Sequence, residues 1–265
     1  MRLISLASGS SGNCIYIGDD NTHILIDAGI SRKRIESALN EIDLTLKDID
    51  AILVTHEHID HTGGLGVISR KEAIPIYATE GTIRGIKEMS GLGEIDGDLF
   101  CGIRADEGFW IEDFHINPFK IYHDAYEPCA YTVECGGKKA GVITDLGKYD
   151  DYIVDNLKGV NALLAEANHD IHMLEAGPYP YPLKMRILGD RGHLSNDACA
   201  RMLGRVLNDN IAGIMLGHLS KENNYADLAL MTVNTEIDLN DTEYKAGDFN
   251  IEVARRDGVT AIKEF

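Results

Sequence analysis

Hydrophobic residues in this chain come in short blocks rather than long periodic stretches. Ala51-Ile52-Leu53-Val54, Ala162-Leu163-Leu164-Ala165 and residues 211–216 are too short for helices and apolar on both faces, which marks them as buried strands. Further strands are expected at 3–6, 14–17, 23–26, 74–77, 114–122, 130–134, 139–143, 250–255 and 260–262. Cys135-Gly136-Gly137-Lys138 reads as a hairpin turn. Between the strands, helical patterns are expected at 31–40, 65–71, 79–90, 149–157, 225–235 and from about Leu183. Another runs to Val206, capped by Ser195 or Asn196. Strands interleaved with helices predict an α/β fold. Residues 91–108 give no clear signal, and 177–182, with three prolines, cannot form a regular helix and read as a rigid loop. No fixed-period repeat or low-complexity segment is present.

The chemistry gathers where strands end, the edge at which α/β sheets build their sites. Directly after the 51–54 strand come His56, His58, Asp60 and His61, four ligand-type side chains in six positions. Two apart on an extended loop, His56 and His58 can turn to one side and share an ion, whereas Asp60 and His61 face away and suit a second. Imidazole and carboxylate without thiolate suit zinc, manganese or iron at a catalytic site. Asp27, His123, Asp145 and Glu166 also stand at strand ends, and His218 follows residues 211–216. The Gly/Ser loop 7–13, with Ser10 and Asn13, either offers N–H groups and hydroxyls to an anion or is a plain tight turn.

Charge narrows the partners. Forty-three acids against 25 Lys and Arg leave a net charge of -18, which argues against avid nonspecific nucleic-acid binding without excluding a nuclease. Five scattered cysteines, none in a C-x-x-C pair, read as free thiols in a reducing compartment. With no signal-peptide pattern and no membrane-length apolar segment, a cytoplasmic protein without a membrane partner is expected. Its 265 residues are assigned to one domain, 1–265, because the candidate ligands run from His56 to His218 and a division would cut the site. Monomer and homodimer both remain open.

The H-x-H-x-D-H run after a buried strand and before Gly63-Gly64 resembles the signature of the metallo-β-lactamase superfamily. That resemblance implies a four-layer αβ/βα sandwich holding two divalent metal ions between its sheets. It makes His56, His58 and His123 ligands of one metal and Asp60, His61 and His218 ligands of the other, with Asp145 bridging and Asp27 supporting the loop from behind. A water between two such ions loses a proton near neutral pH and becomes the nucleophile. Gly192-His193-Leu194-Ser195 followed by Gly217-His218-Leu219-Ser220 resembles the C-terminal arrangement of RNase Z and β-CASP nucleases. This makes His193 a general acid or transition-state stabiliser oriented by Glu166, and Asp60, His193 and Glu166 the candidate catalytic set. Together with 6–13, Glu166-Ala167-Asn168-His169-Asp170 and Asn223-Asn224, these motifs resemble the bacterial YycJ (WalJ) family, whose members are DNA-processing phosphodiesterases with 5′-exonuclease activity. The expected substrate is therefore nucleic acid, DNA before RNA, contacted by Ser10, Asn13 and His169. His169 is also open to a supporting or metal-ligating role. The competing reading is a metal-dependent hydrolase of a small thioester, lactone or phosphodiester metabolite.

Overall fold

The computed structural model describes residues 1–262 and 265. The first half runs β1 (Arg2–Ala7), β2 (Cys14–Gly18), β3 (His23–Ile26), α1 (Arg32–Asn40), β4 (Ala51–Leu53), α2 (Ile59–Thr62), α3 (Leu65–Glu72), β5 (Ile76–Thr79), α4 (Glu80–Glu88) and β6 (Phe100–Ile103). The second runs β7 (Phe109–Ile111), β8 (Phe114–Lys120), β9 (Cys129–Cys135), β10 (Lys138–Ile143), α5 (Asp151–Leu157), β11 (Ala162–Glu166), α6 (Ile171–Ala176), α7 (Tyr181–Leu188), α8 (Asn196–Leu203), β12 (Gly213–Gly217), α9 (Ala226–Leu239) and β13 (Ile251–Val253). A last strand, β14 (Thr260–Ile262), returns to the first sheet.

The sheets run β14-β1-β2-β3-β4-β5-β6 and β7-β8-β9-β10-β11-β12-β13. In that order, both make three antiparallel pairings and then three parallel ones. Strand alternation sorts the side chains into three apolar layers. Leu3, Ile24, Ile26, Leu53, Phe114, Tyr131, Leu164 and Met215 meet between the sheets. Leu25 and Ile52 pack with Ile35, Ile68 and Ile83 of α1, α3 and α4, while Leu163 and Leu216 pack with Val154, Met202 and Val233 of α5, α8 and α9. Both faces of each sheet are covered, so the chain is the expected αβ/βα sandwich, and strands buried on both faces read as apolar runs for that reason.

The departures from the sequence reading are local. Residues 59–62 form a helical turn, not a continuation of the extended loop, and Gly63 closes it with an N–H bond to the Ile59 carbonyl. β6, unreadable in the sequence, is an edge strand carrying Gly102, with only Ile103 buried. α6 is a six-residue helix capped by the Asp170 side chain, too short to show a helical period. α7 begins at Tyr181, with Pro182 inside its first turn, where the missing N–H has no intrahelical partner to lose.

Candidate active site

The candidate residues converge at one edge of the sandwich from both sheets. Asp27 follows β3, and Asp145 lies two residues past β10, the equivalent strand of the other half; each turns the chain with a positive φ, 63° and 57°. His218, one residue past β12, does the same at 54°. Aspartate enters left-handed backbone more readily than most residues, which suits Asp27 and Asp145 to these sharp turns, and His218 is held there by its contacts with Ser8 and Glu166.

Most imidazoles are fixed from behind. His61 Nδ1 lies 2.7 Å from Asp27 Oδ2, His218 Nδ1 lies 2.9 Å from Glu166 Oε1, and His123 Nδ1 lies 3.2 Å from the Gly192 carbonyl. Each partner only accepts, so each Nδ1 carries the proton and each Nε2 turns its lone pair inward. His58 faces inward through Nδ1, 3.2 Å from His123 Nε2. His56 is fully buried and its Nε2 has no hydrogen-bond partner. Nor has Asp145 Oδ2, which lies 2.9 Å from His61 Nε2 without hydrogen-bond alignment. Two buried atoms without partners, beside converging ring nitrogens, fit a cation between them.

The donor atoms divide into overlapping groups, within each of which all atoms lie within 4.8 Å of one another. One holds His56, His58 and His123; another Asp60, His61 and His218; a third joins His56, His61 and Asp145. Asp145 Oδ1 also stands 3.4 Å from His218 Nδ1 and 3.6 Å from His123 Nε2, which puts this carboxylate between the first two groups. Three nitrogens, or two nitrogens and an oxygen, with Asp145 in reach of both, form a donor set for divalent cations.

Electrostatics point the same way. Burial alone would raise the carboxyls of Asp60 and Asp145, yet the histidines around them hold both well below the usual range. Glu166 likewise overcomes complete burial and falls to about 2 beside His193 and His218. Burial pulls His218 down, but Asp145, Asp60 and Glu166 carry it up to about 10, and His61 is raised in the same way by Asp145 and Asp27. Burial and neighbouring histidines keep His56 and His123 neutral.

His193 joins a further group with Asp145, Glu166 and His218, its Nδ1 3.5 Å from Asp145 Oδ1. Its Nδ1 lies 2.8 Å from Glu166 Oε1, its side chain is 16% exposed, and Nε2 makes no hydrogen bond among the described residues. Glu166 is anchored by the backbone N–H groups of Leu146 and Leu194, so one buried carboxylate orients both His193 and His218. Burial opposes a charge on His193, but Glu166 and Asp145 raise its pKa above the ordinary value.

The expected substrate contacts are placed unequally. Ser10 is exposed at the tip of its loop. Asn13 is buried, its Oδ1 accepting from the Gly9 N–H and its Nδ2 lying 3.1 Å from His61 Nε2, so it secures the loop against the metal turn. His169 is buried with neither ring nitrogen partnered, and burial lowers its pKa to about 4. Thr55 and Ser8 escaped the sequence reading. Thr55 donates to Asp27 and sits 3.0 Å from His56 Nδ1, while Ser8 Oγ accepts the His218 N–H at 2.8 Å. A hydroxyl in a Ser-rich loop carries no signal of its own, and both roles depend on contacts across the sheets.

This sandwich, with its histidine and carboxylate cluster at the strand ends, defines a metal-dependent hydrolase of the β-lactamase superfamily. The model of the β-lactamase superfamily domain matches residues 22–212. In fold the chain resembles human tRNase Z, short form, at a TM-score of 0.66 and 16% identity over all of both chains. It likewise resembles zinc-bound PqqB from Methylobacterium extorquens at a TM-score of 0.73 and 16% identity, covering 99% of this chain and all of that one. In sequence it is 40% identical to exodeoxyribonuclease YycJ of Bacillus anthracis over 86% of each chain. It is also 40% identical to exodeoxyribonuclease WalJ of Streptococcus pneumoniae, over 88% of this chain and 86% of that one. The chain belongs to the YycJ/WalJ family within that superfamily.

Proposed function

We propose that the chain is a phosphodiesterase that removes nucleotides from DNA ends, working with two divalent cations of zinc, manganese or iron type. The observation that carries this reading is His193, held by Glu166 at 2.8 Å beside the donor cluster yet open to solvent on its other nitrogen. Cleavage of a phosphodiester expels a poor alkoxide leaving group that needs a proton, whereas a thioester expels a thiolate that does not. The names of the YycJ and WalJ relatives favour DNA over RNA.

His56, His58 and His123 would hold one cation, Asp60, His61 and His218 the other, with Asp145 shared. Asp60, Asp145 and Glu166, with Asp27 behind His61 and Asp124 beside His123, give this space a negative charge that divalent cations would offset. Such a pair, when bound, supplies a nucleophile at neutral pH and offsets negative charge on the scissile phosphate. His193 delivers its Nε2 proton to the leaving oxygen while Glu166 keeps the imidazole charged and oriented. Asp27 holds the His61 ring, and Ser10 lies on the substrate's path. Asn13 is assigned to the loop that carries Ser10, and His169 to the backbone bridge with Ser195 that follows His193. Because both halves supply ligands, the chain acts as one catalytic domain.

The test uses metal-loaded protein on labelled DNA with 5′ or 3′ ends blocked, on RNA, and on a thioester. DNA trimming from an end, reduced at least a hundredfold by His193→Ala with metal content unchanged, supports the proposal. Faster thioester than diester turnover, or undiminished DNA cleavage by the variant, would overturn it.

A further inference from the structure

Beside the cluster, on the far side of Ser8 and Leu219, lies a cavity of about 280 Å³ between the loops that follow β1, β12 and β13. Its lining includes Lys221, Arg255, Arg256 and Tyr225 and no carboxylate. In a chain where acids outnumber bases 43 to 25, that composition is reversed. Four other cavities of similar size are each lined by two or three carboxylates.

The three cations are not equivalent. Arg256 braces two loops. Its guanidinium donates to the Leu219 carbonyl at 2.6 Å and to Ser10 Oγ at 3.3 Å, tying the 8–13 loop to the one after His218. Lys221 and Arg255 are exposed, and neither side chain makes a hydrogen bond or ion pair among the described residues, although Arg34, Arg186 and Arg205 all pair with acids. α9 begins at the same wall, and its Tyr225 N-cap makes no side-chain capping bond. The helix start therefore lies at the cavity wall without a side-chain cap, with Asp227 in its first turn outside the lining. The tyrosine itself is 55% exposed and offers a flat face for stacking.

Ser8 is the wall that the cavity shares with the cluster. Its Oγ accepts the His218 N–H, and Ser10 stands at the rim with its own N–H and that of Ser11 unpartnered among the described residues.

We propose that this cavity is a second phosphate site, in which Lys221 and Arg255 bind a backbone phosphate of the DNA substrate with its neighbouring nucleotide against Tyr225. The strand then runs from the metal cluster across Ser10 and Ser11. The proposal rests on the nuclease reading above and adds to it where the uncleaved part of the strand is gripped. It also explains how so acidic a protein retains a polyanion: the grip is local.

The experiment compares metal-loaded wild type with the Lys221→Gln/Arg255→Gln double variant on a DNA oligonucleotide and on bis(p-nitrophenyl) phosphate, across a salt series. The small diester reaches the cluster but not the cavity. The variant is expected to raise KM for the oligonucleotide about tenfold or more, so that the oligonucleotide-to-small-diester ratio of kcat/KM falls by that factor. The dependence of log affinity on log salt should flatten by roughly 0.7–0.9 for each phosphate no longer neutralised. Ala226→Asp places an acid in the cavity at a helix start that tolerates it, and should act in the same direction with the fold intact. Wild-type cleavage of DNA with KM and salt slope unchanged in both variants would overturn the second site and leave the nuclease reading standing. Wild type that hydrolyses neither substrate overturns both.

Discussion

Replacing Glu166 by Gln is the most informative single change, because the carboxylate accepts four hydrogen bonds in a fully buried position. Oε2 takes the N–H groups of Leu146 at 2.7 Å and Leu194 at 3.2 Å, and Oε1 faces Nδ1 of His193 at 2.8 Å and of His218 at 2.9 Å. Glutamine has one acceptor oxygen and one donor NH2 of nearly the same shape. If the NH2 faces Leu146 and Leu194, two buried N–H groups lose their acceptor at about 1–3 kcal/mol each. The amide oxygen therefore stays with the backbone, and the NH2 turns to the two histidines. Both Nδ1 atoms must then accept, so both imidazoles carry their proton on Nε2. His218 loses the inward lone pair at the cluster, which should weaken metal binding about 10–100-fold. His193 loses the anion that keeps it charged and becomes a weaker acid, at a cost of about 10²–10⁴-fold on turnover.

Running the assay at saturating metal on two diesters separates these effects, one with a nitrophenolate leaving group and one with an ordinary alkoxide. A nitrophenolate departs without protonation, so Glu166→Gln should slow the alkoxide substrate far more. An equal loss on both substrates would show that Glu166 acts only through the metals, and no loss on either would refute the orientation argument altogether.

Three other outcomes follow from the geometry. Metal removal by a chelator should lower the thermal midpoint, since a ligand at a hundred times its Kd adds about 2.7 kcal/mol to stability; Asp27→Asn, which frees the His61 ring, should shrink that difference in calorimetry. A Cβ on Gly29 would sit 1.7 Å from the Asp60 carbonyl oxygen, so Gly29→Ala must displace the metal turn and cost about 1–3 kcal/mol, read as a lower chelator-competition affinity and a lower denaturation midpoint. Alkylation near neutral pH should modify Cys101 and Cys135 in the native protein and all five thiols only after unfolding, because Cys14, Cys129 and Cys199 are buried and burial pushes Cys129 up to about 12.

How much of this was legible in the sequence depended on how locally each feature is encoded. Strands such as β4 and β11 announce themselves because both faces are buried, and the donor residues stand beside them. His58 and Asp60 were legible as donors, but the helical turn that sets Asp60 and His61 was not, since Ile59 to Thr62 hold no periodic pattern in four residues. Glu166 was readable as a partner of His193. That the same oxygen also holds His218 depends on β11 and β12 being parallel neighbours, with Glu166 opposite Gly217. The basic cavity was illegible for a stronger reason: its walls come from chain positions near 8, 221 and 255, and no run of charge marks any of them.

The repeated order of the sheets explains why the donor cluster lies where it does. β3 and β10 hold the same place, between an antiparallel and a parallel neighbour, and each is followed by an aspartate in the left-handed conformation. Turning sharply off a buried strand directs each carboxylate into the seam between the sheets rather than along the strand. There the halves diverge. Asp27 meets Thr55 and the back of His61, whereas Asp145 keeps an oxygen without a partner and faces the inner nitrogens. The difference lies in the next strand's end: β4 is followed by Thr55, whose N–H and hydroxyl both donate to Asp27, while β11 ends in Glu166, a second anion that cannot donate to Asp145. One half thereby holds the ligands and the other leaves its carboxylate free for a cation. Glu166→Thr, which supplies a hydroxyl near Asp145 as well as removing the partner of His218, should lower metal affinity further than Glu166→Gln does, even though the Asp145 side chain is untouched. Equilibrium dialysis that finds affinity no lower than in Glu166→Gln would refute this account of the asymmetry.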